Sequence, residues 1–149
     1  MDFSKLKGFI FFNDKFIPSK KANIHVLNHS LHFATSVFEG IAVYNGKPFL
    51  SVDHFKRLLN SSKLLKLNFN QKLKDLDTIS AKLIKKNNIK NGYIRPIVFR
   101  SDNSMSPDIS DCKTKFAMAA WEWGKLFKKQ SISLAISKWP KLSYKEFPI

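Results

Sequence analysis

The sequence predicts an α+β protein in which two helices pack on a largely antiparallel β-sheet. Strand-like segments, rich in aromatic and β-branched residues and bounded by turn residues, occur in both halves of the chain. Between them, two consecutive segments repeat apolar residues with the period of an α-helix. Strands in runs and helices grouped together are typical of the α+β class.

The first predicted element is a β-hairpin. Residues 8–12 and 15–17 are strand-like, and the turn-forming pair Asn13 and Asp14 separates them. Pro18 is expected to end the second strand, because proline cannot donate a hydrogen bond to a ladder.

A second strand–turn–strand unit follows. Residues 36–44 are predicted to form one strand, and residues 48–50 are predicted to return beside it. Asn45 and Gly46 between them supply the positive-φ pair that a type I′ turn requires.

Two amphipathic helices are predicted next. The first covers about residues 52–66 with Ser51 as its N-cap, because apolar residues there recur at helical spacing on one face. The second covers about residues 72–87 and is expected to stop at the turn formers Asn87 and Asn88.

The last part of the chain is again strand-like. Strands are predicted over residues 93–100 and 115–123, with the polar segment 101–114 as the loop between them. Residues 131–139 alternate apolar and polar side chains, which predicts a third, half-buried strand.

Length and composition fit one globular domain. The chain has 149 residues, 44% of them apolar, which is enough to bury a core. Its one cysteine, Cys112, cannot form an internal disulfide, and no apolar segment is long enough for a secretory leader or a membrane span. A cytoplasmic location is therefore expected.

The formal net charge of +15 raises the possibility of nucleic-acid binding, but the make-up of that charge argues against a specific binder. Of 26 basic residues only three are arginines, namely Arg57, Arg95 and Arg100, and the lysines are scattered along the chain. Specific recognition of bases and phosphates relies on the arginine fork, so no specific nucleic-acid partner is expected. A non-enzymatic basic binding module stays an alternative.

Three histidines, His25, His29 and His32, would share one face of a helix, which is a possible metal-site spacing. No carboxylate accompanies them in the segment, so structural roles are favoured and no metal is expected. Glycine-rich phosphate loops and nucleophile-elbow motifs are absent from the sequence.

Two of the arginines are the better candidates for chemistry. Arg95 lies inside the predicted strand 93–100, where a charge is costly unless it is paired or faces a cavity. Beside Tyr93 it can form a polar floor for a small anion. Arg57 lies on the first predicted helix, and its guanidinium can hold a phosphate by two parallel hydrogen bonds.

Four segments of the sequence, taken in their order along the chain, resemble segments of a known enzyme family. They are residues 33–41 (Phe-Ala-Thr-Ser-Val-Phe-Glu-Gly-Ile), 54–58 (His-Phe-Lys-Arg-Leu), 92–96 (Gly-Tyr-Ile-Arg-Pro) and 121–124 (Trp-Glu-Trp-Gly). In order and spacing they resemble the branched-chain amino acid aminotransferases, which are fold-type IV pyridoxal-phosphate enzymes. The resemblance covers essentially the whole chain, and it implies the small N-terminal domain of such an enzyme.

The resemblance also implies roles for individual residues. Arg57 would grip the phosphate of pyridoxal 5'-phosphate. The substrate, Leu, Ile or Val with 2-oxoglutarate as amino acceptor, would lie among Phe38, Gly40, Tyr93, Arg95 and Trp123. Phe33 would reach the active site of the neighbouring subunit in a homo-oligomer.

The lysine that forms a Schiff base with the cofactor would, by the same resemblance, follow a few residues after Ile149. Residues 1–139 would form the small domain, and residues 140–149 would begin the connection to a second, cofactor-binding domain. No catalytic residue is then expected in this chain, which would be inactive alone. The lysines near its end are expected to be ordinary solvated ones, namely Lys138, Lys141 and Lys145.

Within the same enzyme group, a D-amino acid aminotransferase or an aminodeoxychorismate lyase-like protein is the alternative. Its resemblance to the four segments is looser. No membrane partner is expected in any of these cases.

Overall fold

The computed structural model describes residues 7–101, 104–124, 131–141 and 143 of the chain. Its strands are β1 (Phe9–Phe12), β2 (Lys15–Pro18), β3 (Ser36–Phe38), β4 (Ile41–Tyr44), β5 (Lys47–Pro48), β6 (Gly92–Arg100) and β7 (Thr114–Glu122). Its α-helices are α1 (His29–Phe33), α2 (Ser51–Leu64) and α3 (Leu73–Lys86), and a short 3-10 turn covers Ser19–Lys21.

The strands form one sheet in the order β2-β1-β7-β6-β4-β5, and β3 also pairs with β6. Each of these pairings is antiparallel. The centre of the sheet is β6 paired with β7 along its whole length, from Gly92 opposite Glu122 to Arg100 opposite Thr114. The predicted α+β class with an antiparallel sheet is confirmed.

Both predicted tight turns are confirmed. Asn13 and Asp14 have φ values of 46° and 65°, and Asn45 and Gly46 have φ values of 49° and 74°. Positive φ at both central residues is the geometry of a type I′ turn, whose twist matches that of the flanking strands.

The prediction of one strand over residues 36–44 is wrong. The segment forms β3 and β4, which both pair with β6 and are separated by Glu39 and Gly40. The backbone stays close to β6 at the break, since the Glu39 N–H donates to the Pro96 carbonyl at 3.1 Å. Buried and less buried side chains still alternate through the break, so the interruption removes ladder pairing at two residues without detaching the chain from the sheet.

The two long helices lie where the apolar periodicity predicts them, but the predicted Ser51 cap is wrong. Leu50 occupies the N-cap position of α2, and the Ser51 hydroxyl donates instead to Asp77 on α3 at 2.8 Å. The structure also adds the short α1, too brief for a periodic signal, whose first turn is capped by the Asn28 side chain.

Helices α2 and α3 cover one face of the sheet and enclose the core. Phe55 and Leu58 from α2 and Leu76 and Leu83 from α3 are fully buried against the sheet. Their partners on the sheet alternate with mostly half-buried positions. These partners include Phe11, Ile41, Val43, Ile94, Val98, Phe116, Met118 and Ala120.

The opposite face of the sheet carries a mostly apolar cavity of about 340 Å³. Ile97, Phe99 and Ala119 form part of its floor, and Ile24 and Leu31 lie at its rim. This face is covered less completely than the helical one, because Ile24 and Leu31 are 50% and 63% exposed.

The predicted strand over residues 131–139 is wrong. These residues form no strand, and the side chains that were expected to face inward, including Leu134 and Ile136, are exposed. Alternation gives a segment one apolar face, but a strand also needs a hydrogen-bonding partner, and none of the described strands pairs with this segment. Among the described residues, none of the helices is long and apolar enough to span a bilayer.

Candidate active site

Aromatic and cationic side chains gather where β3 meets β6. The Arg95 guanidinium lies over the Phe38 ring at 4.3 Å and beside the Tyr93 ring at 5.3 Å. Its Nη2 donates to the Tyr93 hydroxyl at 3.3 Å. The Trp123 ring packs edge-on against Tyr93, with the ring centroids 4.8 Å apart. The structure thus brings together the predicted substrate residues of three separate segments.

Gly40 completes this cluster because its lack of a side chain admits Tyr93. A Cβ built on Gly40 would collide with the Tyr93 hydroxyl and would lie 2.7 Å from the ring carbon that bears it. Any larger residue at this position would force the tyrosine to move, so the requirement for glycine here is steric.

A cavity of about 430 Å³ opens beside the cluster. Tyr93 and Trp123 form one wall, and Ala42, Val43 and Gly92 line it nearby. Aromatic walls suit an aliphatic side chain. Arg95, which is hydrogen-bonded to Tyr93, lines the mostly apolar cavity of about 340 Å³ instead, and its donors suit a carboxylate. Among the described residues, Arg95 makes no ion pair with an acidic side chain, so its charge is available to an anion.

Arg57 forms an ion pair with Glu39, the residue between Phe38 and Gly40. Arg57 Nε donates to Glu39 Oε1 at 2.6 Å, and Arg57 Nη2 donates to Glu39 Oε2 at 2.6 Å. The Glu39 side chain is only 7% exposed, whereas that of Arg57 is 57% exposed. The carboxylate is therefore the buried anchor, and the guanidinium reaches outward from it.

His54, one turn before Arg57 on α2, binds the same carboxylate. Its Nδ1 lies 2.8 Å from Glu39 Oε2 and 3.0 Å from Arg57 Nη2. A proton on Nδ1 satisfies the contact with the carboxylate, whereas a bare Nδ1 would place its lone pair against a lone pair of Oε2. We therefore assign the proton to Nδ1.

The pKa of Glu39 reflects this environment. Burial alone would raise the pKa of the carboxyl group, but the hydrogen bonds and charges of Arg57 and His54 outweigh it and lower the pKa below its ordinary value. The hydrogen bond with Glu39 in turn raises the pKa of Arg57. Both groups are charged at neutral pH.

The remaining predicted candidates lie elsewhere. Phe33 is on α1, where its ring packs against His29 at 4.6 Å. His29 is buried between Thr35 and the Ser106 carbonyl, and the described residues contain no group of side chains that could hold a metal. Lys138 and Lys141 are exposed, and Lys145 lies outside the described residues.

Sequence reasoning missed Glu39 and His54 as members of the site. A usable signal existed, because Glu39 interrupts an otherwise strand-like segment, and a carboxylate that is buried must find a cation. The sequence did not show that the cation would be Arg57, since 17 residues and a hairpin separate the two in the chain.

These site residues fall in a region shared with a known protein family. The family described as class IV amino-transferases matches residues 36–148. The chain belongs to this family. Membership in the class IV aminotransferases agrees with the resemblance drawn from the four segments and with the predicted fold.

Similar proteins within the class IV aminotransferases bear branched-chain names. A "Probable branched-chain-amino-acid aminotransferase" of Rickettsia typhi is 35% identical over 141 residues, which are 95% of this chain and 49% of that protein. The branched-chain aminotransferase structure from Thermoproteus uzoniensis with norvaline aligns with a TM-score of 0.85 at 26% identity, over 95% of this chain and 50% of that one.

A third similar protein contains pyridoxamine 5'-phosphate in its structure. The structure of a branched-chain amino acid aminotransferase from T.th. with pyridoxamine 5'-phosphate aligns with a TM-score of 0.76 at 30% identity, over 85% of this chain and 43% of that one. The chain spans about half the length of the curated relatives it matches.

Proposed function

We propose that this chain forms the part of a branched-chain amino acid aminotransferase that holds the cofactor phosphate and lines the substrate pocket. The observation that carries the proposal is the segment 38–40. Phe38 and Gly40 contact the Arg95–Tyr93 cluster, and Glu39 between them binds Arg57. One short segment thus connects an anion-binding arginine with an aromatic-lined pocket.

The donor set of Arg57 fits the phosphate of pyridoxal 5'-phosphate. Glu39 occupies the edge formed by Nε and Nη2, which leaves the exposed edge formed by Nη1 and Nη2 for a second bidentate partner. The relatives' names, and the pyridoxamine 5'-phosphate bound in one of the similar structures, support this choice of ligand.

Pyridoxal phosphate, when bound, supplies the electron sink that lets an amino group move between carbon skeletons. This chain's residues would bind and orient the reactants. Arg95 and Tyr93 would hold the substrate carboxylate, and Phe38 and Trp123 would exclude water around a branched aliphatic side chain.

We propose that the lysine carrying the cofactor and the second domain belong to sequence outside these 149 residues, with residues 1–139 as the small domain. The share of the relatives that the chain covers supports this division.

We also propose a homo-oligomer in which Phe33, 44% exposed, reaches the partner's site. A cytoplasmic location is proposed as well, in keeping with the lone cysteine.

An amino-donor panel on the full-length protein tests the activity. With 2-oxoglutarate as acceptor, we expect glutamate formation from Leu, Ile and Val. Faster turnover of D-amino acids would instead favour a D-amino acid aminotransferase, and pyruvate release from aminodeoxychorismate would favour the lyase. Steeply salt-dependent binding to nucleic acid, with no transamination, would favour the basic binding module.

The role of Arg57 is tested by cofactor affinity. Arg57→Lys keeps the charge but loses the fork, so its affinity for pyridoxal phosphate should fall by roughly tenfold or more. The matched control is the neighbouring exposed residue, with the change Lys56→Arg. Equal affinities in the two variants would contradict the proposed role.

A further inference from the structure

We propose that Glu39 is a positioning residue. By binding one edge of the Arg57 guanidinium, it fixes the other edge in the orientation that a phosphate ester requires. The inference rests on the proposed function for the identity of the ligand, and on the contacts of Glu39 for the geometry.

The first step is the two-point contact. Each Glu39 oxygen accepts from a different nitrogen of Arg57, both at 2.6 Å. A single hydrogen bond would leave the guanidinium free to rotate about it, whereas two parallel bonds fix its plane. An arginine side chain that is 57% exposed would otherwise sample many rotamers, and ordering it would cost binding free energy.

The second step is the orientation of the carboxylate itself. His54 Nδ1 binds Oε2 at 2.8 Å, and the Glu39 backbone N–H binds the Pro96 carbonyl at 3.1 Å. Pro96 follows Arg95 on β6, so the same strand that carries the substrate-facing arginine also fixes Glu39. The direction of the Arg57 fork is thereby set relative to Arg95.

The third step concerns charge. A carboxylate beside a phosphate-binding arginine weakens the attraction for an anion, so Glu39 acts against binding if only charge matters. Orientation and charge therefore predict opposite results for Glu39→Gln. Glutamine has nearly the same shape, but it replaces one accepting oxygen with a donor that opposes Arg57 and His54.

A matched control separates the two effects. Asp53 is exposed on α2, and its charge also acts on Arg57. It takes no part in the pair of hydrogen bonds between Glu39 and Arg57. Asp53→Asn removes a nearby negative charge and leaves the two-point contact intact. If charge dominates, both variants should bind anions more tightly than the original chain.

The first experiment compares pyridoxal phosphate with pyridoxal, which lacks the phosphate, in the full-length protein. In Glu39→Gln we expect the dissociation constant of pyridoxal phosphate to rise roughly tenfold and that of pyridoxal to stay unchanged. A role confined to folding would weaken both ligands alike. The proposal would be overturned if Glu39→Gln weakened the binding of pyridoxal phosphate and pyridoxal equally. It would also be overturned if Glu39→Gln and Asp53→Asn both bound pyridoxal phosphate more tightly than the unaltered protein.

A second measurement does not depend on the proposed function. In the NMR spectrum of the protein titrated with inorganic phosphate, Arg57 Nε–H should exchange slowly and its Nη resonances should shift with phosphate. Glu39→Gln should accelerate the exchange and weaken the phosphate response. If pyridoxal phosphate fails to bind while this pattern holds, the proposed function fails and the positioning role stands. A rapidly exchanging Arg57 Nε–H, or Nη resonances insensitive to phosphate, in the unaltered protein would overturn the positioning role.

Discussion

At the scale of single residues, the site depends on side chains that are useful because their neighbours are fixed. Tyr93 fits only because Gly40 has no side chain, and the outward edge of Arg57 is defined only because Glu39 occupies the inward one. Substitutions at the supporting residues are therefore expected to be as informative as substitutions at the contacting ones.

Gly40→Ala should destabilise the chain by roughly 1–3 kcal/mol, because the new methyl group must displace the Tyr93 ring. Chemical denaturation measures this cost. Gly124→Ala is the matched control, since a Cβ at Gly124 meets nothing within 4 Å. Adding Tyr93→Phe to Gly40→Ala should recover part of the loss, and two alanine variants of equal stability would contradict the steric argument.

The lowered pKa of Glu39 predicts how stability changes with acidity. A carboxyl group whose pKa is lower in the folded chain than in the unfolded chain stabilises the fold above the unfolded value of about 4.3. That contribution is lost as the pH falls through the folded pKa.

The stability advantage of the unaltered chain over Glu39→Gln should therefore be smaller at about pH 3 than at about pH 7. Urea unfolding at both pH values measures it. Glu122→Gln removes an exposed carboxylate, and its unfolding free energy should change between the two pH values by as much as that of the unaltered chain. If the unfolding free energy of Glu39→Gln also changed by as much, the ion pair would not stabilise the fold.

At the scale of elements, helices and turns were predictable from sequence and the boundaries of pairing were not. The α2 and α3 ranges and both type I′ turns follow from local signals, namely apolar period and residues that tolerate positive φ. The β3–β4 break and the unpaired segment 131–139 depend on distant partners, which a local pattern does not report. The same holds for Glu39, whose partner lies on another element.

Asn87 shows how one side chain joins elements. It follows the last residue of α3, accepts from the Phe9 N–H at 2.8 Å, and donates to the carbonyls of Phe9 and Ala120 at 2.9 and 3.0 Å. The sequence predicts it only as a turn former. In the structure it links α3 to β1 and β7.

Asn87→Ala should cost roughly 2–3 kcal/mol of unfolding free energy, because it leaves backbone groups of two strands without their partner. Asn60→Ala, at an exposed position in α2, should change stability by less than about 1 kcal/mol. Thermal or urea unfolding compares the two. A cost at Asn87 no greater than at Asn60 would mean that the three hydrogen bonds contribute little.

At the scale of the whole molecule, the two faces of the sheet differ. The helices seal one face, whereas the other has an apolar cavity with exposed residues at its rim. Exposed apolar patches of this kind promote association in water.

We expect this chain to self-associate as its concentration rises, measurable by sedimentation velocity. Replacing the rim residues, with Ile24→Lys and Leu31→Glu together, should reduce the association without a comparable loss of stability. Leu64→Lys, at an exposed position on the helical side, serves as the control and should leave association unchanged. The opposite pattern would place the contact on the helices.

The covalent continuity of residues 38–40 has a consequence for how this chain can vary. Extended backbone advances about 3.3–3.6 Å per residue, so peptide geometry sets the distance between Phe38, which lies against Arg95, and Glu39, which binds Arg57. Successive side chains on such a segment face opposite ways, so inserting or deleting a single residue would exchange the neighbours of both arginines at once. Point substitutions can change the contact of either arginine separately, but the separation between the two contacts can change only if the sheet is rebuilt.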